Sequence, residues 1–266
     1  MNSFAGINAL ITGGASGIGL GLAKALAREG ARVALASTNR AKIDRAVADL
    51  KQSGIEAIGL PLDVAEPEQW SDAVERFERT LGPIGFLALN AGVAPPPATV
   101  AETTLSVWQW SLGVNLWGVI YGLHACLPRM QARGQHAHVL ITSSIAGLNS
   151  KPTMGAYAAA KAGVIQIAEV LRAELHGSPI GISILAPAAV HTDIVANSMG
   201  HTPVANDAGY AAIDAVLSQG LDPMVVAEYT LARIRAGHFY IFTHNEQRAQ
   251  ISHRFSEIIA AMQTSA

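Results

Sequence analysis

Tyr157 and Lys161 stand four residues apart, and Ser144 lies thirteen positions before the tyrosine at what reads as the end of a strand. If the pair shares a helix, the i, i+4 relation puts both side chains on one face, a turn apart. A free tyrosine titrates near pH ~10. A phenol that must exchange a proton near neutrality therefore needs a neighbouring positive charge to favour its ionised form. Lys161 would supply that charge, and Ser144 would hold a substrate oxygen by hydrogen bond beside the phenol. The chemistry is proton transfer at an oxygen whose carbon exchanges a hydride. Alone, a tyrosine and lysine four apart are ordinary helix surface, so the surrounding elements must decide.

Those elements are short apolar runs alternating with helical segments. Ile7 to Thr12 reads as a strand, Ile18 to Glu29 as a helix and Arg32 to Ser37 as a second strand, with glycine or small polar residues at each boundary. The pattern continues with a strand over 57–62, a helix over 67–81, a strand over 86–90, a long helical stretch over 105–133 and a strand over 139–143. The helix of Tyr157 follows, then strands over 180–186 and 239–242 and a terminal helix over about 246–262. Repeated βαβ units predict a doubly wound parallel sheet, a three-layer αβα domain of Rossmann type spanning residues 1–266. Ligands of such sheets sit beyond the carboxyl ends of the strands, at the switch in strand order.

The first predicted strand ends in Thr12-Gly13-Gly14-Ala15-Ser16-Gly17-Ile18-Gly19. Glycine permits a tight turn and lets backbone N–H groups approach a phosphate, and the following helix aims its positive end there. A glycine trio between the first strand and first helix of a βαβ unit points to a dinucleotide. The spacing is TGxxxGxG rather than GxGxxG.

TGGASGIG, Asn90-Ala91-Gly92, Asn115, Ser144 and the Tyr157/Lys161 pair stand in an order and at separations that resemble the short-chain dehydrogenase/reductase family, from Ile7 to about Phe242. The resemblance implies a nicotinamide cofactor, a homodimer or homotetramer, and roles by position. Tyr157 is then the general acid/base, and Lys161 lowers its pKa and binds the nicotinamide ribose. Ser144 orients the substrate carbonyl, and Asn115 helps hold a water that relays protons. The cofactor contacts implied are Gly13, Ser16, Gly17, Ile18 and Gly19 in the loop, Ser37, Thr38, Asn39 and Arg40 after the second strand, and Asp63 and Val64 after the third. Asn90, Ala91 and Gly92 follow the fourth strand, and Pro187, Val190 and Thr192 the sixth, with Tyr157 and Lys161 completing the set. Asp63 either caps the adenine amino group or N-caps the helix beginning at Pro67. The Asn90 turn carries a structural reading beside the cofactor one.

An acid at the end of the second strand would accept hydrogen bonds from the ribose 2′-OH of NAD. Here Ser37, Thr38, Asn39 and Arg40 offer hydroxyls and a guanidinium instead, which suits a 2′-phosphate and favours NADP over NAD. Against this, the glycine loop carries no basic residue, and Arg40 also fits the first turn of the next helix.

Where the resemblance leads one to expect Pro-Gly, the chain has Pro187-Ala188, which puts a methyl near the cofactor. Residues of about 188–220 are rich in alanine and small polar residues and fall where a lid would close over the ligand. The other walls expected are 93–98, 146–149 and Met154, mostly apolar or small. They predict a ketone or secondary alcohol with an apolar body, aromatic ones included. The tail from Ser218 to Phe255 resembles a bacterial subgroup that includes aryl-alcohol Cα-dehydrogenases. Two other readings use the same fold: a cofactor-binding sensor or scaffold, which would normally show a degraded tetrad, and an imine reductase or epimerase.

Composition narrows the partners. Half of the 266 residues are apolar, 14% are charged, and the formal net charge is −2, so no basic field attracts nucleic acid or an anionic membrane. No apolar run is long enough to span a bilayer, and the N-terminus lacks a basic region followed by a cleavable apolar stretch, which predicts a cytoplasmic protein. Cys126, the single cysteine, reads as a packed side chain, and the nine histidines form no metal-ligand cluster.

Overall fold

The computed structural model describes residues 1, 3–149 and 151–263. The chain begins with β1 (Asn8–Thr12), α1 (Gly17–Arg28), β2 (Arg32–Ser37), α2 (Arg40–Gln52), β3 (Ala57–Pro61), α3 (Pro67–Leu81) and β4 (Phe86–Leu89). It continues through α4 (Leu105–Leu112), a π-helical turn (Gly113–Trp117), α5 (Gly118–Arg133), β5 (Ala137–Thr142), a 3-10 turn (Ile145–Gly147), α6 (Gly155–Glu174) and β6 (Ile180–Ala186). The last elements are α7 (Ile194–Met199), α8 (Asp207–Leu217), α9 (Pro223–Arg235), β7 (Tyr240–Phe242) and α10 (Arg248–Gln263). All seven strands pair in parallel in the order β3-β2-β1-β4-β5-β6-β7, so the strand order reverses between β1 and β4.

Side-chain alternation along each strand divides the core into two layers. Leu10, Ala34, Leu87, Val139 and Ile141 face a layer closed by α3, α5 and α6, through Trp70, Phe77, Cys126, Val164 and Ala168. Ala9, Ile11, Val33, Leu35 and Leu140 face the opposite layer, closed by α1, α2 and α9 through Leu22, Leu26, Leu50, Val226 and Leu231. Strands buried on both faces are what an all-parallel sheet requires. Cys126 is fully buried, and burial, with Glu78 adding, pushes its thiol up to about 12. It is a packing group.

Strand and helix limits fall within a residue or two of expectation, with two departures. The helical stretch over 105–133 is broken into α4, a π turn and α5 rather than continuous. The stretch over 188–220, expected as a lid, carries two helices, α7 and α8, the second started by Asn206, whose Oδ1 accepts the Gly209 N–H at 2.9 Å. His138, expected just before its strand, lies inside β5, stacked on Phe86.

Candidate active site

The carboxyl ends of β1, β4, β5 and β6 carry the site, and Thr12 and Asn90 join three of them. Thr12 Oγ1 donates to Ala88 O and accepts the backbone N–H groups of Asn90 and Ala91, at 2.8 and 3.0 Å. Asn90 donates through Nδ2 to Thr12 O at 3.1 Å and accepts from Thr142 Oγ1 at 3.1 Å. Both ends of its amide are thus engaged by strand ends. Asn90 thereby helps set the crevice's shape, in line with the structural reading kept for this turn beside the cofactor one.

The loop after β1 is shaped for close backbone approach. Gly17 has φ 50°, a left-handed conformation that side chains rarely adopt, and it opens α1. A Cβ on Gly19 would stand 2.2 Å from Gly13 O and 2.7 Å from Asn90 Nδ2, so any larger residue would force the loop off β4. Ser16, the residue preceding α1, makes no side-chain cap, which leaves the helix's first N–H groups to an external acceptor. An uncapped helix start behind a left-handed glycine fits a dinucleotide pyrophosphate. Gly13 and Ile18 lie in the same loop and helix start.

At the end of β5 the two serines divide their tasks. Ser143 Oγ donates to Lys161 O at 2.8 Å and faces the core. Ser144 caps the 3-10 turn, accepting from Ala146 N at 3.2 Å, and donates to Pro187 O at 3.4 Å. Ser144 also lies near enough to Tyr157 to lower the pKa of its phenol by hydrogen bonding. The thirteen-residue spacing therefore selects the serine that meets the phenol.

Tyr157 and Lys161 share α6, with the lysine Nζ 5.7 Å from the centre of the tyrosine ring. Lys161 is 3% exposed and donates to Thr142 O at 3.1 Å. Burial lowers its pKa to about 8. Burial raises that of Tyr157, and the Ser144 hydrogen bond pulls it back. Lys161, expected to lower the tyrosine pKa, lies with its Nζ beside the ring, and Ser144 adds a second lowering influence on the phenol. Among the described residues no charge partner offsets the burial of Lys161.

Asn115 sits in the π turn and is fully buried. Its amide clamps Val93, accepting Val93 N–H at 3.1 Å and donating to Val93 O at 2.9 Å, and it also donates to Ser111 Oγ at 3.3 Å. The side chain is spent on protein, so a water would have to be held by the backbone that the π turn loosens. A Cβ on Gly92 would lie 2.8 Å from Asn115 Oδ1 and 3.4 Å from Lys161 Nζ, so both groups converge on the bare backbone of Gly92.

The adenosine end is less committed. Ser37 Oγ accepts Asn39 N–H at 3.3 Å, and Asn39 Oδ1 N-caps α2 by accepting Lys42 N–H at 2.9 Å. Thr38 is exposed, and Arg40 is exposed in the first turn of α2. Asp63 is not the N-cap of α3, a place held by Glu66; its Oδ1 instead accepts Ala65 N–H at 3.0 Å within its own turn. Val64 is buried, with its carbonyl accepting from Trp70 Nε1. Beyond β6, Pro187 O accepts Ile145 N–H, Val190 is buried, and Thr192 packs against Gly17. Ala188 keeps an ordinary negative φ and donates its N–H to His244 Nδ1 at 3.3 Å. The loop over 93–98 and Met154 form one wall, joined where Ala98 bridges Met154, and Asn206 Nδ2 donates to Pro97 O at 3.2 Å.

Three residues at this site went unread in the sequence: His244, which meets Ala188, and Lys42 and Asn197, which meet across the crevice. Nothing in their spacing marks them, because each is brought in by a separate element.

Residues 8–202 match the short chain dehydrogenase family. The chain belongs to that family. Within it, the C alpha-dehydrogenase of Sphingobium sp. strain SYK-6 is 32% identical over 266 residues, covering 97% of this chain and 87% of the relative. The 1-deoxy-11-beta-hydroxypentalenate dehydrogenase of Streptomyces exfoliatus is 30% identical over 255 residues, covering 94% and 87%. A short chain dehydrogenase/reductase of Burkholderia phymatum, solved in complex with NAD, superposes with a TM-score of 0.93 at 31% identity, covering 98% of this chain and 97% of that one. Family membership makes the protein an oxidoreductase of the short-chain dehydrogenase type with a nicotinamide cofactor.

Proposed function

We propose that the protein interconverts a ketone and a secondary alcohol of apolar body, aromatic ones included, with Tyr157 as general acid/base and NADP preferred to NAD. The observation that carries this reading is the Tyr157 phenol on α6 with the Nζ of buried Lys161 5.7 Å from its ring centre, beside the Ser144 hydroxyl at the end of β5. A bound nicotinamide supplies or accepts the hydride. The chain's own residues handle the oxygen. In reduction, Tyr157 donates its proton to the oxygen as negative charge grows there, and Ser144 donates a hydrogen bond to the same atom. In oxidation the phenolate takes the proton back. Lys161, close to the ring, favours the phenolate electrostatically while it is charged and holds the ribose side of the cofactor.

The apolar, half-buried wall of Val93, Ala94, Pro95 and Met154 supports an uncharged substrate body. The relatives named C alpha-dehydrogenase and 1-deoxy-11-beta-hydroxypentalenate dehydrogenase, the second a dehydrogenase of a hydroxylated compound, are consistent with that class. The NADP preference is supported by the end of β2, where Ser37-Thr38-Asn39-Arg40 presents no carboxylate to repel a 2′-phosphate. Comparing kcat/KM with the two cofactors tests it, and a strong NAD preference contradicts it.

We further propose a homodimer or homotetramer in the cytoplasm. Supporting the assembly is an apolar groove of about 540 Å³ on the outer face of α5 and α6, lined by Leu123, Leu127, Pro128, Ile167 and Val170, the last 58% exposed. Among the described residues no helix is long and apolar enough to cross a membrane.

A further inference from the structure

The segment after β6 does not stay above its own strand. In the sheet order, β6 is separated from β2 by four strand spacings, roughly 19 Å at ~4.8 Å each. Yet α7 reaches the start of α2. Lys42 Nζ donates to Asn197 Oδ1 at 2.7 Å and lies 3.3 Å from Asp193 Oδ2. The other end of the same amide, Asn197 Nδ2, donates to Ser16 Oγ at 3.3 Å. Thr192 presses on the glycine loop, since a Cβ on Gly17 would stand 3.0 Å from both Thr192 Cβ and Cγ2. Ser198, fully buried, accepts Ala94 N–H at 2.9 Å. The short helix is thus stitched to the loop after β1, to the helix after β2 and to the loop after β4. Those three places straddle the reversal of strand order between β1 and β4, where a dinucleotide lies across the crevice. A ligand lying across that reversal would run beneath α7.

We propose that Lys42, Asp193 and Asn197 form a clasp across the cofactor crevice that must open for the dinucleotide to exchange, so that the clasp, and not only the substrate side of the lid, sets how long cofactor stays bound. The proposal rests on the nicotinamide reading above. The chemistry suits a gate. One ammonium serves both a carboxylate and an amide oxygen, and one amide joins α2 to the glycine loop, so releasing Asn197 loosens α7 from both, and releasing Lys42 loosens it from α2. The lysine stem is fixed at its root, where Lys42 N–H is held by the α2 cap residue Asn39 at 2.9 Å. The Lys42 and Asp193 side chains are 29% and 60% exposed, so the ion pair remains within reach of water and salt and is weak enough to break at every turnover. Lys42 also neutralises the Asp193 carboxylate at the rim of a crevice shaped for phosphates.

The test is the release rate of NADPH and of NADH, read by stopped-flow fluorescence with excess oxidised cofactor as competitor, in the wild type, Lys42→Gln, Asp193→Asn, their double variant and Lys42→Arg. The clasp predicts that both single variants release each dinucleotide about fivefold faster or more, that the double variant is no faster than the singles, and that Lys42→Arg stays near wild type. Added salt should quicken wild-type release and leave the double variant unmoved. Unchanged release in the variants overturns the clasp. So does acceleration confined to Lys42→Gln and NADPH, which would make Lys42 a ligand of the 2′-phosphate. A wild type that binds neither dinucleotide overturns the nicotinamide reading and the clasp together.

Discussion

Ser144 and Lys161 both bear on the phenol, the serine by hydrogen bonding and the lysine by its charge 5.7 Å from the ring centre. A serine hydrogen bond favours the charged phenolate, whereas burial around Tyr157 opposes it. Ser144→Ala removes that support and leaves a charged oxygen without its donor in the transition state. Its kcat should fall by roughly 10²–10³-fold, the usual cost of one such donor. The alkaline rise of the oxidation rate should also move to higher pH, since the phenol then ionises later. A pH profile of kcat/KM for alcohol oxidation reads both effects, and a profile merely lowered at every pH would assign Ser144 to structure alone. The spacings that suggested these residue roles were legible in the sequence, but the surroundings of each side chain were not. Which of two adjacent serines faces the phenol follows from strand alternation. How far a lysine is desolvated depends on Thr142 and Gly92, residues from other elements that no local pattern reveals.

The first βαβ unit works at the scale of an element, because its glycine loop, helix start and Asn90 brace are one mechanical piece. Gly19→Ala inserts a methyl where Gly13 O already stands 2.2 Å away. Overpacking of this kind costs about 1–3 kcal/mol. The variant should lose thermal stability and bind reduced nicotinamide at least tenfold more weakly; an unperturbed dissociation constant by fluorescence titration would contradict the close-approach account. Strand and helix positions in this half were legible because apolar alternation and glycine punctuation are local signals. The π turn at Gly113–Trp117 and the helices α7 and α8 were not, since their form is imposed by contacts: Asn115 clamping Val93, and Ser198 and Asn206 fastening to Ala94 and Pro97.

Across the whole molecule, the double-sided burial of the sheet has a consequence for acid stability. His138 lies in β5, 4% exposed, its Nε2 near Ser183 Oγ and its Nδ1 without a partner. Burial holds its pKa down to about 3. The unfolded chain therefore takes up the proton first, near the ordinary value of ~6.5, and stability from this group is full above that pH and drains as pH falls toward 3. One group contributes at most about 1.4 kcal/mol per pH unit. Urea unfolding at pH 7 and pH 4.5 should show a smaller acid loss in His138→Gln than in wild type, and equal losses would contradict the assignment. On the outer surface, Val170→Glu places a charge in the α5–α6 groove and should shift the assembly toward monomer in light scattering; an unchanged mass would mean that copies meet elsewhere. The doubly wound topology was readable from alternating elements. The groove was not, because Leu123, Leu127, Ile167 and Val170 come from two helices whose pairing only the fold fixes.

The account stands on the Tyr157 proton. In a purified Tyr157→Phe variant, reduced nicotinamide should still bind with an affinity close to wild type by fluorescence titration, while turnover of a ketone or alcohol that the wild type accepts falls by roughly 10²–10⁴-fold. Retained turnover with the phenol gone would contradict the account.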